Sequence, residues 1–500
     1  MENNGIDEID SVSPVSDEKK YNSGENTDLP NLVFPSVVIS KLMKTLEDIS
    51  KITKETYERS NNTGDAVSLG INVDSTEFTN TEDMLYTSLN ADGVSNKPSY
   101  TGKDLGIRPL PVKSSGKPLN GDAAIARIAS ALGIGEVTQV PLWHSGFWVT
   151  LKPIKEIDLI NLELELTNNQ INLGRDTNSL VYSNYQVVLN RIIANFVLDN
   201  IENTTLDTQS LQGNLLDYIQ VQDFNILVNG LLYSMYPNGY PLVRTCSNSI
   251  VMVDNKPKCN YVVSGNVDFK KMLYVNRPVL SKYHFIQMSK RNPNTVTLDD
   301  VIDYQKTLNA GLLGYKQSDD ENIGDSEYGE YSVSYKIPNG TIFKFYLKTP
   351  SLLGYIDAGE QWISDIIKKS EEIFTDATTD AEKNRIINDT TATVIGGIYN
   401  SYISKIVIND VDVVEDIDSG LGMLTSDPEL LEFLIDSVKD FINKTTVAAV
   451  GIPNYTCPKC KELQIENNEN SFSDIIPINV TESFFALCVL KVQKVRSRNT

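Results

Sequence analysis

One ordered series of segments occurs twice along this chain, and that recurrence constrains its fold more than any single motif. In the first half Phe147-Trp-Val-Thr-Leu-Lys152 is apolar and β-rich and leads to Pro153; in the second, Phe343-Lys-Phe-Tyr-Leu-Lys348 leads to Pro350. Each strand-like run precedes stretches whose apolar residues recur every three to four positions, the period of a helix that buries one face. In the first half these are Ile157–Leu164 and a helix over about 185–200 with Val188, Ile192 and Phe196 a turn apart. In the second, one starts near Ala358 (Trp362, Ile366, Ile367) and another spans Thr393–Val407 (Ile395, Tyr399, Tyr402, Ile403, Ile406). Asp223 then opens a helix through Phe224, Leu227, Leu231 and Met235. Its counterpart is Asp427-Pro428, an N-cap with proline at the first helical position, continued by Leu431, Leu434, Ile435, Val438 and Phe441. Pro241 and Cys246 close the first series and Pro453 and Cys457 the second, while Lys256-Pro-Lys-Cys259 is echoed by Cys457-Pro-Lys-Cys460.

The order predicts an α+β fold with two diverged repeats of a helix-plus-small-sheet module, each ending in a cysteine-containing ribbon. Module 1 covers 136–280 and module 2 covers 336–490, with a polar insertion or linker at 281–335 whose Asp319-Asp-Glu321 run reads as a solvated loop. A chain of 500 residues exceeds what one core holds, which fits this division. Residues 1–30 are acidic, poor in apolar side chains and expected to be disordered. An N-terminal extension at 31–135 carries helix signals through Leu42, Leu46, Ile49 and Ile52 and again at Gly121–Leu132, where Ile125, Ile128, Ala129 and Leu132 share a face. Residues 491–500 form a basic tail.

Five cysteines in a chain without a signal-peptide pattern make a poor disulfide framework, so paired spacing points toward metal. Cys457-x-x-Cys460 has the spacing at which two thiolates face one ion. A closed zinc site needs four ligands, and Cys246 and Cys259 are the candidates for the other two, with Ser249-Ile-Val-Met-Val253 in an enlarged hairpin between them. Alternatively, only the second pair binds metal, or all are thiols packed as small hydrophobes. Cys488 lies within Phe484-Phe-Ala-Leu-Cys-Val-Leu490, a core pattern.

Other chemistry finds little support. A formal charge of -22 weighs against wrapping nucleic acid. No apolar run approaches the roughly 18 residues of a membrane span, and the acidic start predicts a chain made and kept in a cytosol. His144 beside Ser145 lacks a nucleophile elbow and reads as a hydrogen-bonded residue in an aromatic turn. Gly133-Ile-Gly135 and Gly102-Lys103 are incomplete phosphate-loop fragments, and Asp410 with Asp412 or Asp416 with Asp418 lack the rest of a calcium loop. The expectation is a protein that is not an enzyme, with Trp143 to Trp148 as candidate contact anchors, although at least one of the two tryptophans is expected to be buried in the core.

Ser145-Gly146 with Val149-Thr-Leu-Lys-Pro153, Gln222-Asp-Phe-Asn-Ile-Leu-Val228 and Cys457-Pro-Lys-Cys460 give the chain a pattern that resembles the T-even phage baseplate hub subunit family of contractile-tailed bacteriophages. In that family the cysteines are followed by a hydrophobic strand, a place held here by Val262-Val263 with Val267, and by Ile475-Ile-Pro-Ile478. The likeness covers about 140–280 and, more faintly, 336–490. Family members carry one module where this chain has two. The resemblance implies a structural, non-catalytic component of a tail baseplate or hub, assembled in the host cytoplasm and kept in the virion. Its partners would be other phage tail and baseplate proteins, with a homo-oligomer among the possibilities. Two alternatives are a chaperone-like assembly factor absent from the mature particle and a zinc-ribbon adaptor in viral transcription.

Overall fold

The computed structural model describes residues 105–498 apart from 111–117, 133–134, 169–183, 212, 247–251, 254–255, 258, 260, 277–279, 293, 315–330, 372, 374–378, 380–394, 425–426, 454, 458, 462, 465–474 and 479. The expected disorder at 1–30, the helix through Leu42 and Ile52, Gly102-Lys103, Gly133 and the run at 319–321 lie outside the described residues.

The first half runs β1 (Arg108–Pro109), α1 (Gly121–Leu132), β2 (Thr138–Leu142), β3 (Phe147–Leu151), α2 (Glu156–Asn168), α3 (Asn184–Asn200), β4 (Ile201–Thr204), α4 (Phe224–Met235) and β5 (Tyr240–Thr245). It continues through β6 (Met252–Val253), β7 (Lys256–Pro257), β8 (Val262–Val267) and β9 (Leu273–Val275). Two helices follow, α5 (Lys282–Lys290) and α6 (Leu298–Leu312). The second half has β10 (Ser332–Lys336), β11 (Ile342–Leu347), α7 (Leu352–Glu371), a 3-10 helix over Ile395–Tyr402, β12 (Ile403–Ile408), β13 (Asp412–Val414), α8 (Ile417–Leu424) and α9 (Pro428–Thr445). It ends with β14 (Ala448–Pro453), β15 (Tyr455–Thr456), β16 (Leu463–Gln464), β17 (Ile475–Pro477) and α10 (Val480–Arg498). The fold is therefore α+β, with several small antiparallel sheets.

Two four-stranded sheets organise the chain, ordered β1-β2-β3-β4 and β10-β11-β12-β13. In each, a hairpin is followed by helix and then by a strand that returns beside the hairpin's second strand. The returning strands pair in the same way. Val149 faces Thr204, Thr150 faces Asn203, and the register then shifts so that Leu151 faces Ile201. Phe345 faces Ile406, Tyr346 faces Lys405, and the register shifts so that Leu347 faces Ile403. Just past each shift a lysine N–H donates to the last helical residue, Lys152 to the Asn200 carbonyl at 2.9 Å and Lys348 to the Tyr402 carbonyl at 2.8 Å.

This return strand corrects the helix expected over Thr393–Val407. The described part is a 3-10 helix to Tyr402 and then β12. Local spacing fits a helix, but Ile403-Ser-Lys-Ile-Val-Ile408 is mostly β-branched and gains a full ladder against β11. Sheet context outweighs the local period.

The helices on the core faces differ. α4 is buried along nearly its whole length, including Asn229, Gly230 and Ser234, as a helix apolar all round must be. Gly230 permits that depth, since a Cβ there would lie 2.4 Å from Val140 Cγ2. α9 is amphipathic instead: Leu430, Leu434, Val438 and Phe441 are buried, while Glu432, Asp436 and Asp440 are exposed. Asp427 accepts from the Leu430 N–H at 3.2 Å and caps α9 as expected. α1 has the expected bounds, but Ala126 and Ala129 are its buried residues and Ile128 and Leu132 are exposed.

The halves interlock. β9 of the first pairs with β14 of the second. α10 reaches back to the end of α4, where Tyr236 Oη donates to the Leu487 carbonyl and Lys491 Nζ to the Met235 carbonyl. The polar insertion expected at 281–335 contains α5 and α6, whose Met288, Tyr304 and Leu308 are buried. Trp148 Nε1 donates to the Met288 carbonyl at 3.0 Å, and Tyr304 Oη to the Trp143 carbonyl at 2.9 Å. These helices cover the first sheet. Both Trp143 and Trp148 are consequently buried, the fate expected of at least one of them, so neither indole is an exposed contact anchor.

Candidate metal centre

Strand ends bring four cysteines together. β5 pairs with β8 up to Thr245 opposite Val262, and the Cys246 N–H extends the ladder to the Tyr261 carbonyl at 2.9 Å. Cys259 thus returns beside Cys246, and the chain between them includes the β6–β7 hairpin, Met252 opposite Pro257. In the second half β15 delivers Cys457 and pairs with β16. The turn between is tight: the Lys461 N–H donates to the Cys457 carbonyl at 2.9 Å, and Lys461 takes a left-handed φ of 59°.

The sulfurs lie within 4.8 Å of one another. Cys246 Sγ is 3.7 Å from Cys460 Sγ, and Cys259 Sγ is 3.8 Å from Cys457 Sγ. These are far beyond the ~2.05 Å of a disulfide. A tetrahedral zinc thiolate site with Zn–S near 2.3 Å has S···S edges of about 3.8 Å, so the closest approaches match the edge of that tetrahedron. Four soft donors in this arrangement suit zinc or another thiophilic ion. Cys246, Cys259 and Cys457 are buried and Cys460 is half-buried, with Tyr261 packed against them in a cluster separate from the main core. Burial pushes the Cys457 thiol up, while backbone N–H groups of Cys460 and Lys459 aimed at its sulfur pull it down. A bound cation would reverse the burial effect by stabilising the thiolate.

All four expected ligands therefore meet, and Cys488 does not join them. It is buried in α10, and burial raises its thiol strongly against the opposing pull of the Lys491 charge. Sequence reasoning missed Tyr261 and the left-handed Lys461. A glycine or asparagine at 461 would have signalled the turn; lysine gives no such sign.

His144, Ser145 and Asp223 form a second polar cluster with a different meaning. Asp223 Oδ1 lies 2.7 Å from His144 Nδ1, and Oδ2 accepts from the Ser145 N–H and Oγ, each at 2.7 Å. The His144 N–H also reaches this carboxylate, at 3.0 Å to Oδ2. His144 Nε2 accepts from the Val447 N–H at 2.9 Å, which makes Nδ1 the protonated nitrogen facing Asp223. Ser145 Oγ in turn accepts from the Gln220 N–H at 2.9 Å. Every group is buried and occupied by a partner inside the protein, so the trio ties the β2–β3 turn to α4 and to the second half. Asp223 does not cap its helix, because its oxygens are taken. The remaining acidic pairs are surface features: Asp410 meets Lys344 at 3.6 Å, and Asp416 accepts from the Ser419 N–H at 3.1 Å.

No protein-family model, curated protein or solved structure matches the chain.

Proposed function

We propose that this chain is a structural, non-catalytic subunit of a contractile-tail baseplate or hub, built from two diverged copies of one module that share a zinc ion. The cross-pairing of the thiols carries the reading. Exchanging Cys246 with Cys457 and Cys259 with Cys460 turns the 3.7 Å contact into the 3.8 Å one, the relation expected of two copies about a pseudo-two-fold axis. The matching register shifts at Leu151 and Leu347 support the same duplication. An ion held by residues so distant in sequence restricts the unfolded chain and gives small ribbons the folding energy their own cores lack. The internal occupation of His144, Ser145 and Asp223 supports a structural rather than a hydrolytic role. Assignment to a baseplate follows from the motif resemblance.

Two measurements test it. Metal analysis of the purified chain should find about one zinc, and Cys457→Ser should release it and lower unfolding stability by roughly 4 kcal/mol or more. A metal-free protein indifferent to the substitution removes the clamp. Mass spectrometry of purified phage particles should find the chain at fixed copy number; its absence from particles but presence on assembly intermediates would replace the subunit with an assembly factor.

A further inference from the structure

The second sheet offers an interaction surface that the first does not. Residues directly opposite across antiparallel strands share a face. Val333, Phe345, Ile406 and Val414 stand in one row on the core side, and Tyr335 and Phe343 lie on the same side. The alternate row holds Ser334, Lys344, Val407 and Val413, and the next holds Ser332, Tyr346 and Lys405. Lys348 follows two positions beyond Tyr346 on β11 and is exposed. The ammonium groups of Lys405 and Lys344 sit 4.2 and 5.2 Å from the Tyr346 ring centre. Asp410 meets Lys344 at 3.6 Å at one end of this face and Val407 is buried within it, but with Lys405 and Lys348 the face stays net basic, and aromatic, on a chain whose formal charge is -22.

The opposite side of the same slab is acidic. α9 packs on the core face through contacts such as Phe433 with Tyr335 and Phe441 with Tyr331. Glu432, Asp436 and Asp440, one turn apart, are turned outward and exposed. Lys439 and Lys444 neutralise part of this stripe through exposed pairs with Asp436 and Asp440, which are worth little individually.

We infer that the lysine face of the second sheet docks onto the acidic face of α9 in a second copy of this chain. Complementary charges on opposite sides of one slab make a heterologous, head-to-tail contact, which generates rings when the rotation closes. Tyr346 supplies an amphipathic anchor of the kind enriched at interfaces, and the lysines set approach and orientation. The inference stands on the second half alone, whether or not the chain belongs to a baseplate.

Sedimentation of the full chain tests it. At low salt the wild type should associate, and raising the ionic strength from about 0.05 to 0.5 M should dissociate it. Lys344→Glu with Lys405→Glu, and separately Glu432→Lys with Asp436→Lys, should each weaken association by about tenfold or more, with unchanged circular dichroism and melting. Because the two double variants lie on different elements, either one reads the interface if the other fails to fold. Mixed in equal amounts, they should associate again, since each restores the other's complement. A wild type that stays monomeric at low salt, double variants that associate like the wild type, or a mixture that stays apart would overturn the inference. So would tight, Lys344-dependent binding of an oligo(dT) strand, which would assign the face to nucleic acid.

Discussion

The two four-stranded sheets share a pairing scheme and end in different surroundings. At the position where the first sheet has Trp148, the second has Lys344, two places after which Tyr346 stands where the first has Thr150. Trp148 is buried beneath α5 and bonds to it, with the Arg108 guanidinium 5.1 Å from the ring centre. Lys344 keeps partial exposure and meets Asp410 at the sheet's edge. Similar strand pairing thus frames an interior layer in the first sheet and a partly exposed face in the second. The difference lies in the alternate residues of β3 and β11 and in α5 and α6, which among the described residues cover the first sheet and not the second. Backbone pairing and what covers it are separable, because side chains on the two faces of a strand answer to different neighbours.

The aspartates that precede α4 and α9 break this comparison most sharply. Asp223 is buried and receives bonds from His144 and Ser145, whereas Asp427 caps an exposed helix start with one bond to the Leu430 N–H. Asp223→Ala leaves several buried donors without an acceptor and should cost roughly 3–5 kcal/mol. Asp427→Ala should cost about 1 kcal/mol, the usual loss of a cap. Urea unfolding of both variants measures the difference. Similar costs would mean that the first half's polar staple contributes no more than a surface cap.

The turn glycines sharpen the comparison at smaller scale. Gly146 and Gly340 both adopt left-handed φ, 85° and 95°, in the hairpin turns of the two sheets. A Cβ on Gly146 would stand 2.4 Å from Tyr304 Cδ1, while one on Gly340 meets nothing within 4 Å. Gly340→Ala should therefore cost about 1–2 kcal/mol, the backbone penalty alone. Gly146→Ala adds about 1–3 kcal/mol of overpacking against Tyr304 and Arg291. Thermal melting should rank them in that order; a reversal would show that α6 yields freely and does not grip the turn.

Much of this was legible in the sequence, for definable reasons. β3, α1, α3, α4 and α9 follow from local period and composition, and the four cysteines from their paired spacing. The return strand β12 was not, because Ile403 and Ile406 suit a helix as well as a strand and only the ladder to β11 decides. The partner of Asp223 was hidden for a similar reason: an aspartate before an apolar helix is the ordinary sign of a cap. The cover over Trp148 was missed because α5 and α6 bury few residues each, so their stretch reads as polar connecting sequence. The strand-like run Phe343–Lys348 was legible, but not that its lysine side would remain outermost.

The cover itself provides the mildest test, through His284 on α5. This ring is buried, with Nδ1 2.6 Å from Ser281 Oγ and Nε2 3.3 Å from Thr307 Oγ1. Burial and then the positive charge of Arg291 lower its pKa from 6.5 to about 4, against an opposing pull from Asp303. Between these values the unfolded chain binds a proton that the folded chain refuses, so stability falls as pH falls. The contribution is complete above about 6.5 and lost through about 4. The second sheet has no described counterpart to this cover, so acid should loosen the first sheet's outer face ahead of the second's. Trp143, whose ring centre is 5.3 Å from that of Phe285 on α5, reports the event by fluorescence. His284→Gln removes the titration, and its stability difference from wild type should shift by about 2 kcal/mol in the variant's favour from pH 7 to pH 4. A difference that stays constant over that range would show that His284 does not make the cover acid-sensitive, and the contrast between the faces would then rest on packing alone.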